Sequence, residues 1–126
     1  MGYVYAEVEL GNPSLPDLKR VRVRAIVDTG VMTLCIPEHV ALQLQLKSER
    51  QREVTTADGR RQLVPYMGPV EVIFEDRNCY VGAMVLADQV LLGAVPMEDM
   101  DLVVSPSQRT VVVNPESPNI PHALAK

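Results

Sequence analysis

The sequence predicts a small all-β domain, either a barrel or a sandwich. Valine is the dominant apolar residue, with 20 copies among 126 residues, against one phenylalanine and no tryptophan. The valines lie in short alternating runs, and β-branched residues in such runs favour strands. Turn residues interrupt the chain about every 8–12 residues, a spacing typical of all-β domains built from short strands.

The first two strands are the clearest elements of the pattern. Residues 3–10 alternate an apolar face with a mixed face, as expected of a half-buried antiparallel strand. Residues 11–17 contain glycine, asparagine and two prolines, which predicts a loop. A second alternating strand follows from Val21 to Val27 and runs directly into Asp28-Thr29-Gly30.

The middle of the chain predicts one helix and one hairpin. The apolar run at residues 31–36 predicts a third strand, and Pro37 then suits the first position of a helix, which we place from Pro37 to about Leu44. Residues 47–52 are predicted to be a polar connection. Ala57-Asp58-Gly59-Arg60 separates two extended segments, and its Asp-Gly pair predicts a hairpin with a type I′ turn, positive φ being required at both central residues.

The last third of the chain predicts further short strands. A turn is expected at residues 76–78, and one helical turn at residues 96–100. The tail from Asn114 contains three prolines and is expected to be extended and peripheral. In the last third of the chain, strands are expected at residues 70–75, 79–86, 90–93, 102–104 and 110–113. The sequence therefore predicts one domain over residues 1–113 and a Pro-rich tail over residues 114–126.

Composition and charge exclude several classes of function. The net charge of −4 and the pI of about 5.1 argue against a nucleic-acid partner, because phosphate binding needs clustered positive charge. No apolar run approaches the length of about 18 residues that a membrane span needs, and the N-terminus has no signal-peptide pattern. Two cysteines do not make a disulfide framework, which predicts a reduced, cytoplasmic setting.

Metal and thiol chemistry are not indicated. His39 and His122 have no ligand spacing to each other or to the cysteines, so neither a metal nor another cofactor is predicted. Cys35 lies inside an apolar run and is expected to be a packed small residue rather than a nucleophile.

Asp28 is the best candidate for a chemical role. It stands between the apolar residues 25–27 and 31–36, where a carboxylate is expected to be either functional or fully satisfied, because burying it unpaired costs several kcal/mol. The alternative is a simple turn, since Asp-Thr-Gly is also good turn chemistry.

Four motifs in order make the sequence resemble the retropepsin-like aspartic proteases, especially their short bacterial single-domain members. The resemblance spans residues 3–113 and implies a small closed β-barrel with one short helix, forming a homodimer. It rests on Ala25-Ile26-Val27-Asp28-Thr29-Gly30, Leu34-Cys35-Ile36-Pro37, Thr55-Thr56-Ala57-Asp58-Gly59 and Val90-Leu91-Leu92-Gly93.

The resemblance also implies a role for each matching residue. Asp28 would be the catalytic carboxylate, paired with the same residue of a second copy. Thr29 would bond across to the other subunit, and Gly30 would let the backbone pass close to the paired aspartate. Gly93, behind Leu92, would pack against the Asp28 loop, and both residues are predicted to belong to the cleft.

The cleft is expected to be completed by the hairpin tip and by the residues after Gly30. Ala57, Asp58, Gly59 and Arg60 would close over a bound peptide. Val31 and Met32 stand where viral members of the family carry a small alanine and a polar residue, and Ala94 replaces an arginine of the viral dimer contact.

The resemblance therefore implies an aspartic endopeptidase that acts on a peptide or protein substrate without a cofactor. Two close carboxylates share one proton, so that one activates water while the other polarises the scissile carbonyl. Because one fold hosts several functions, a catalytically inactive peptide-binding or assembly module is the alternative. A weaker third reading is a regulatory domain that recognises an extended peptide by strand addition.

Overall fold

The structure is a computed structural model that describes residues 2–125, without the side chains of residues 48 and 49. Nine strands and two helices form within this part of the chain. Their bounds are β1 Tyr5–Gly11, β2 Val21–Val27, β3 Leu34–Ile36, α1 Glu38–Gln43, β4 Ser48–Thr55, β5 Arg61–Phe74, β6 Arg77–Val85, β7 Leu91–Leu92, α2 Ala94–Asp99, β8 Leu102–Ser105 and β9 Thr110–Val113.

The strands form one sheet in the order β4-β5-β6-β3-β7-β2-β1-β9-β8. β1 pairs with β2 in antiparallel register from Tyr5 to Leu10 and pairs again with β5 from Glu9 to Gly11. The short strand β7 lies between β2, to which it is parallel, and β3, to which it is antiparallel. This arrangement brings the end of β2, the start of β3 and β7 together, and the Asp28 motif lies at this junction.

One continuous apolar core stabilises the sheet. Alternate residues of the strands point into it, and the only phenylalanine, Phe74, is among them. The helix α1 adds Val40 and Ala41 to the same core. Since burial of apolar area is the main stabilising term, this valine-rich core needs neither metal nor disulfide, and both Cys35 and Cys79 are free, buried thiols.

The predicted β-rich class is confirmed, but the expectation of one helix is wrong. The second helix, α2, is as long as α1, with six residues each. The sequence favoured only one helical turn there, because Val95 and Pro96 are poor helix formers. Proline is tolerated in the first turn, where its missing N–H has no intrahelical partner. Burial of Pro96 and Met97 stabilises this helix.

Residues 48–52 form part of β4 rather than a polar connection, which corrects the second expectation. Their polar sequence carries no strand signal, but antiparallel pairing with β5 holds them. Ser48 lies opposite Met67 and, after a register shift, Arg50 to Thr55 lie opposite Tyr66 to Arg61. The Arg52 guanidinium lies 4.0 Å above the ring of Tyr66. Strand pairing and this cation–π contact therefore decide the conformation of a segment that hydrophobic alternation does not reveal.

The turn at the tip of the β4–β5 hairpin differs from the type I′ prediction. Gly59 has φ +83°, whereas Asp58 does not have a positive φ. A β-turn closed by the Gly59 N–H to the Thr56 carbonyl, 2.9 Å, is followed by the left-handed glycine. This is the longer hairpin loop in which one glycine, rather than two residues, takes the positive φ.

A buried arginine ties the C-terminal segment to the domain. The turn expected at residues 76–78 instead occupies Glu75 and Asp76, and Arg77 begins β6 with 2% exposure. Its guanidinium donates to the carbonyls of Met100 and Asp101, each at 3.0 Å, and to the carbonyl of Ser117.

The Asp101 carboxylate completes this contact with the tail. It accepts hydrogen bonds from Asn114 Nδ2 at 3.0 Å, Ser117 Oγ at 2.5 Å and the His122 N–H at 2.9 Å. These donors, the Ser117 hydroxyl first, lower the pKa of Asp101 to about 2. We call Arg77, Asp101, Asn114 and Ser117 the Arg77–Asp101 cluster. Through it, part of the predicted tail contacts the domain, while the domain boundary at residue 113 stays a prediction.

Within residues 2–125, no helix has the length and apolar character needed to cross a membrane.

Candidate active site

The loop from Asp28 to Thr33, here the Asp28 loop, begins where β2 ends. Its first residue is tied to β7, because the Asp28 N–H donates to the Leu92 carbonyl at 3.0 Å. One pair earlier on the same strands, the Ile26 N–H donates to the Val90 carbonyl at 2.9 Å. The parallel pairing of β2 with β7 therefore fixes the backbone of Asp28 while its side chain remains exposed.

Two hydrogen bonds shape the loop itself. The Gly30 N–H donates to Asp28 Oδ1 at 3.0 Å, and the Val31 N–H donates to the Asp28 carbonyl at 3.1 Å. The first bond orients the carboxylate and leaves its second oxygen exposed. In the part of the chain that is described, the Gly30 N–H is the one hydrogen-bond donor to the Asp28 carboxylate.

The beginning of α2 anchors the far side of the loop. The Ala94 and Val95 N–H groups donate to the carbonyls of Val31 and Met32, each at 2.8 Å. The first N–H groups of a helix have no partner inside the helix. Here two of them are satisfied by the Asp28 loop, so the loop and the helix start are held as one unit.

Gly93 lies under the loop, where only a glycine fits. A Cβ on this residue would overlap the carbonyl oxygens of Val31 and Thr33, and would lie 2.9 Å from the Met32 carbonyl carbon. Leu92 is fully buried and Gly93 is buried as well. In the single chain these two residues support the loop from behind, while their place in the substrate cleft stays a prediction.

Thr29, Val31 and Met32 occupy different environments. Thr29 is exposed, and its hydroxyl makes no hydrogen bond within residues 2–125. Val31 is half-buried, whereas Met32 is 71% exposed and lies next to Val95, which is 42% exposed. An apolar surface of Met32 and Val95 therefore borders the Asp28 loop.

The Cys35 thiol is unsuited to nucleophilic catalysis. It is buried in β3, and burial raises its pKa, with the negative charge of Asp28 acting in the same direction. Burial likewise raises the pKa of Cys79 to about 12, helped by the charges of Asp99 and Glu71. Because the reactive form of cysteine is the thiolate, both thiols are kept in the inert form at neutral pH.

Residues 56–60, here the flap tip, form a self-contained turn at the end of the β4–β5 hairpin. Asp58 accepts hydrogen bonds from the Thr56 hydroxyl at 2.5 Å and from the Arg60 N–H at 3.1 Å, and it pairs with the Arg60 guanidinium at 2.9 Å. These bonds, that from Thr56 first, lower the pKa of Asp58. No hydrogen bond or ion pair joins the flap tip to the Asp28 loop among the residues described.

Three cavities lie among the described residues, and the Asp28 loop borders none of them. Cavities of about 630, 560 and 470 Å³ are lined by other segments. The largest lies behind the base of the flap, where Tyr66 and Gly82 contribute to its wall. A substrate cleft over Asp28 is therefore not formed by these cavities of a single chain.

The described residues contain no group of three or more histidine, cysteine, aspartate or glutamate side chains that could hold a metal ion. His39 and His122 are both exposed.

Thr33 and Gly82, which the sequence did not single out, form a hydrogen bond at the end of the Asp28 loop. The Thr33 hydroxyl donates to the Gly82 carbonyl at 2.8 Å, which links the end of the Asp28 loop to β6. A single threonine after an apolar residue gives no sequence signal for such a bond, because its partner lies 49 residues away in the chain.

Comparison with known proteins agrees with this geometry. The aspartyl protease family matches residues 7–117. The EIAV protease, in complex with the inhibitor HBY-793, has a similar structure with a TM-score of 0.59 at 16% identity, over 78% of this chain and 88% of that one.

A second solved structure is similar over a larger share of the chain. The retroviral protease-like domain of Ddi1 from Leishmania major has a TM-score of 0.62 at 13% identity, over 91% of this chain and 90% of that one. No curated protein matches the sequence. At these identities the two structures establish the fold, and the family match covers most of the chain. The chain therefore belongs to the aspartyl protease family and has the fold of its retropepsin-like members.

Proposed function

We propose that the protein is a homodimeric aspartic endopeptidase that hydrolyses peptide bonds with water activated by Asp28 from each of two chains. The observation that carries the proposal is the state of the Asp28 carboxylate. Its backbone is fixed by β7, while its side chain is exposed and receives one hydrogen bond, from Gly30. A rigidly placed carboxylate with a free oxygen is the group that this chemistry requires.

The proposed chemistry needs no metal and no covalent intermediate. Two carboxylates a few ångströms apart share one proton and titrate as a coupled pair. The ionised member takes a proton from water as the water oxygen attacks the scissile carbonyl carbon, and the protonated member donates to the carbonyl oxygen. The member that took the proton from water then protonates the leaving nitrogen as the C–N bond breaks, and a hydroxyl of the tetrahedral intermediate returns its proton to the other member, which restores the starting state of the pair.

The second carboxylate has to come from a second chain. The sequence contains one Asp-Thr-Gly. A symmetric dimer would place two copies of this loop on its two-fold axis. The exposed Thr29 hydroxyl, without a partner within residues 2–125, is then available for a hydrogen bond to the other subunit. The pairing of β1 with β5 as well as β2 supports the closed barrel that this dimer would use.

The proposed peptide site lies above this pair of loops. Val31 and Met32 would line it, and the flap tip with Ala57, Asp58, Gly59 and Arg60 would close over the substrate. The protease domain is proposed to end near residue 113, with residues 114–126 as its tail.

The test is a cleavage assay with an unstructured protein substrate and the Asp28→Asn variant. Asparagine keeps the shape of the side chain but cannot ionise or share a proton. We expect the cleavage rate to fall roughly 10²- to 10⁴-fold, the usual effect of losing a general acid or base. The pH profile of the wild type should be bell-shaped and fall above neutral pH, as both carboxylates ionise.

A mixing experiment distinguishes a shared site from a complete one. After unfolding and refolding of an equal mixture of wild type and Asp28→Asn, random pairing leaves about a quarter of the dimers fully wild type. Activity per wild-type chain should drop to about half. Unchanged activity per wild-type chain would contradict the shared site, and wild-type protein without any Asp28-dependent cleavage would favour a peptide-binding module instead.

A further inference from the structure

The base of the flap is clamped onto the body of the domain at Gly82. A Cβ on Gly82 would coincide with the hydroxyl and ring of Tyr66, so the ring lies directly against the glycine backbone. On β4, the Arg52 guanidinium lies 4.0 Å above the same ring. Tyr66 belongs to β5 and Arg52 to β4, the two strands of the flap. The ring that covers Gly82 therefore comes from one flap strand and is contacted by an arginine of the other.

The Asp28 loop is held by the same glycine from the other side. The Gly82 carbonyl accepts the 2.8 Å hydrogen bond from the Thr33 hydroxyl. Thr33 ends the Asp28 loop, and its own carbonyl packs over Gly93. Gly82 of β6 therefore makes two contacts. Its Cα lies against Tyr66 of the flap, and its carbonyl oxygen accepts the hydrogen bond from Thr33 of the Asp28 loop.

The path between the flap and the Asp28 loop is short and consists of direct contacts, although the β5–β6 pairing shifts register between Met67 and Val70. Tyr66 and Gly82 lie on paired strands, with Tyr66 opposite Met84 and Met67 opposite Ala83. The Val31 and Met32 carbonyls are bound to α2, so the loop cannot shift at Thr33 without straining these hydrogen bonds. A displacement of the Tyr66 ring therefore acts directly on the backbone of Gly82, and through the Gly82 carbonyl on Thr33.

We propose that the Tyr66–Gly82–Thr33 contact couples the position of the flap to the geometry of the Asp28 loop, which makes these three residues positioning residues of the protease. This inference rests on the proposed function, because it concerns how that site is set for catalysis. When the flap closes over a substrate, Tyr66 is pressed onto Gly82, and the Thr33 hydrogen bond holds the loop against the same strand.

The loop side of the contact is tested with Thr33→Val, which keeps the shape of the side chain and removes its hydroxyl. Loss of one hydrogen bond corresponds to roughly a three- to ten-fold effect. We expect kcat to fall by about that factor while KM changes by less than about two-fold. Thr33→Ser keeps the hydroxyl and should restore kcat. Thr110→Val, at a half-buried threonine on β9, is the matched control and should leave both constants unchanged.

The flap side is tested with Gly82→Ala, Tyr66→Leu and the double variant. The added methyl displaces the Tyr66 ring, and leucine removes the ring, so each change alone should raise KM several-fold. Because the two changes act on one contact, the double variant should be no worse than the more impaired single variant. Tyr80→Leu, an exposed tyrosine of β6, should have no such effect.

A measurement without substrate separates this inference from the proposed function. Amide hydrogen exchange at Ala94 and Val95 reports the bonds to the Val31 and Met32 carbonyls. We expect exchange at these two sites to become at least about three-fold faster in Thr33→Val and in Gly82→Ala, and to match the wild type in Thr33→Ser. Wild-type exchange at both sites in Thr33→Val and in Gly82→Ala, or equal effects of Thr33→Val and Thr33→Ser, would overturn the coupling even if the protein is a protease. Failure of Asp28-dependent cleavage would overturn the proposed function. The exchange result would still show whether the Tyr66–Gly82–Thr33 contact couples the flap to the Asp28 loop.

Discussion

Two aspartates of this protein show opposite uses of the same side chain. The Asp28 carboxylate receives one N–H donor, from Gly30, and remains exposed. The Asp101 carboxylate receives two side-chain donors and one N–H donor, and lies 3.9 Å from the buried Arg77 guanidinium.

The backbone explains the difference. The Asp28 loop is held by main-chain hydrogen bonds to β7 and α2, so its carboxylate accepts one bond inside the loop, from the Gly30 N–H, and fastens no distant segment. Residues 114–125 contain no regular strand or helix, and the Arg77–Asp101 cluster fastens this segment through side chains. A carboxylate with a single local bond keeps acceptor capacity for chemistry, whereas one that accepts three bonds from a distant segment stabilises the fold.

The largest effect on stability is expected at Arg77. Arg77→Met removes a buried charge that donates to three carbonyls; the carbonyls of Met100 and Ser117 lose this donor, whereas the Asp101 carbonyl keeps the Asn114 N–H at 3.1 Å. Breaking such an interaction should lower the free energy of unfolding by about 3 kcal/mol, measured by urea unfolding. Arg61→Met is the control, because its 4.0 Å ion pair with Glu53 is exposed and contributes little. Equal stability of the two variants would show that the cluster does not stabilise the domain.

The next largest effect is expected under the Asp28 loop. Gly93→Ala places a methyl group on the carbonyls of Val31 and Thr33 and should lower the free energy of unfolding by about 1–3 kcal/mol, as overpacking does. Activity should fall further than stability, because the displaced backbone carries Asp28. Gly11→Ala is the matched control, since its Cβ would meet only the flexible side chain of Arg20 at 3.4 Å. Full activity in Gly93→Ala would mean that the loop is not held from below.

The two aspartates themselves give a smaller and directly comparable effect. Asp101→Asn keeps one acceptor oxygen but loses the charge, so the unfolding midpoint at pH 7 should fall, while Asp28→Asn should leave it unchanged. The pKa of Asp101 is lowered from 3.8 to about 2 in the folded protein. Its contribution is therefore complete above about pH 4 and is lost as the pH falls through about 2.

Acid unfolding of the wild type and Asp101→Asn measures this contribution. The difference between their midpoints should shrink between pH 4 and pH 2. A constant difference across that window would show that the charge of Asp101 is not what fastens the tail.

The smallest effect is expected at the flap tip. A Cβ on Gly59 would have no atom within 4 Å, so a substitution there is opposed only by its φ of +83°. Gly59→Val should cost about 1–2 kcal/mol of backbone strain, whereas Gly59→Asn should cost less, because asparagine tolerates this region. Thermal unfolding compares the two, and cleavage assays should show a loss of activity in the valine variant alone. Normal kinetics in Gly59→Val would mean that the tip does not close over the substrate.

Local pattern was enough to place most of the fold. Alternating apolar residues define β2 and a run of three valines defines β9, and the proline before the first helix marks its start. The family and the candidate Asp28 were also readable, because a short motif followed by an ordered set of others is a local signal. The expected roles of the site residues remain for experiment.

The tertiary structure decided the features whose causes lie far apart in the chain. The polar residues of β4 become a strand through pairing with β5, and α2 becomes a helix because Pro96 and Met97 are buried. Arg77 looked like a turn residue until Met100, Asp101 and Ser117 supplied carbonyls, 23 to 40 residues later. Gly82 lay in no motif, and its contacts with Thr33 and Tyr66 arise only when β5, β6 and the Asp28 loop meet. Hydrophobic period and turn chemistry act over a few residues and can be read from sequence, whereas hydrogen bonds and packing between distant segments exist only once the chain has folded.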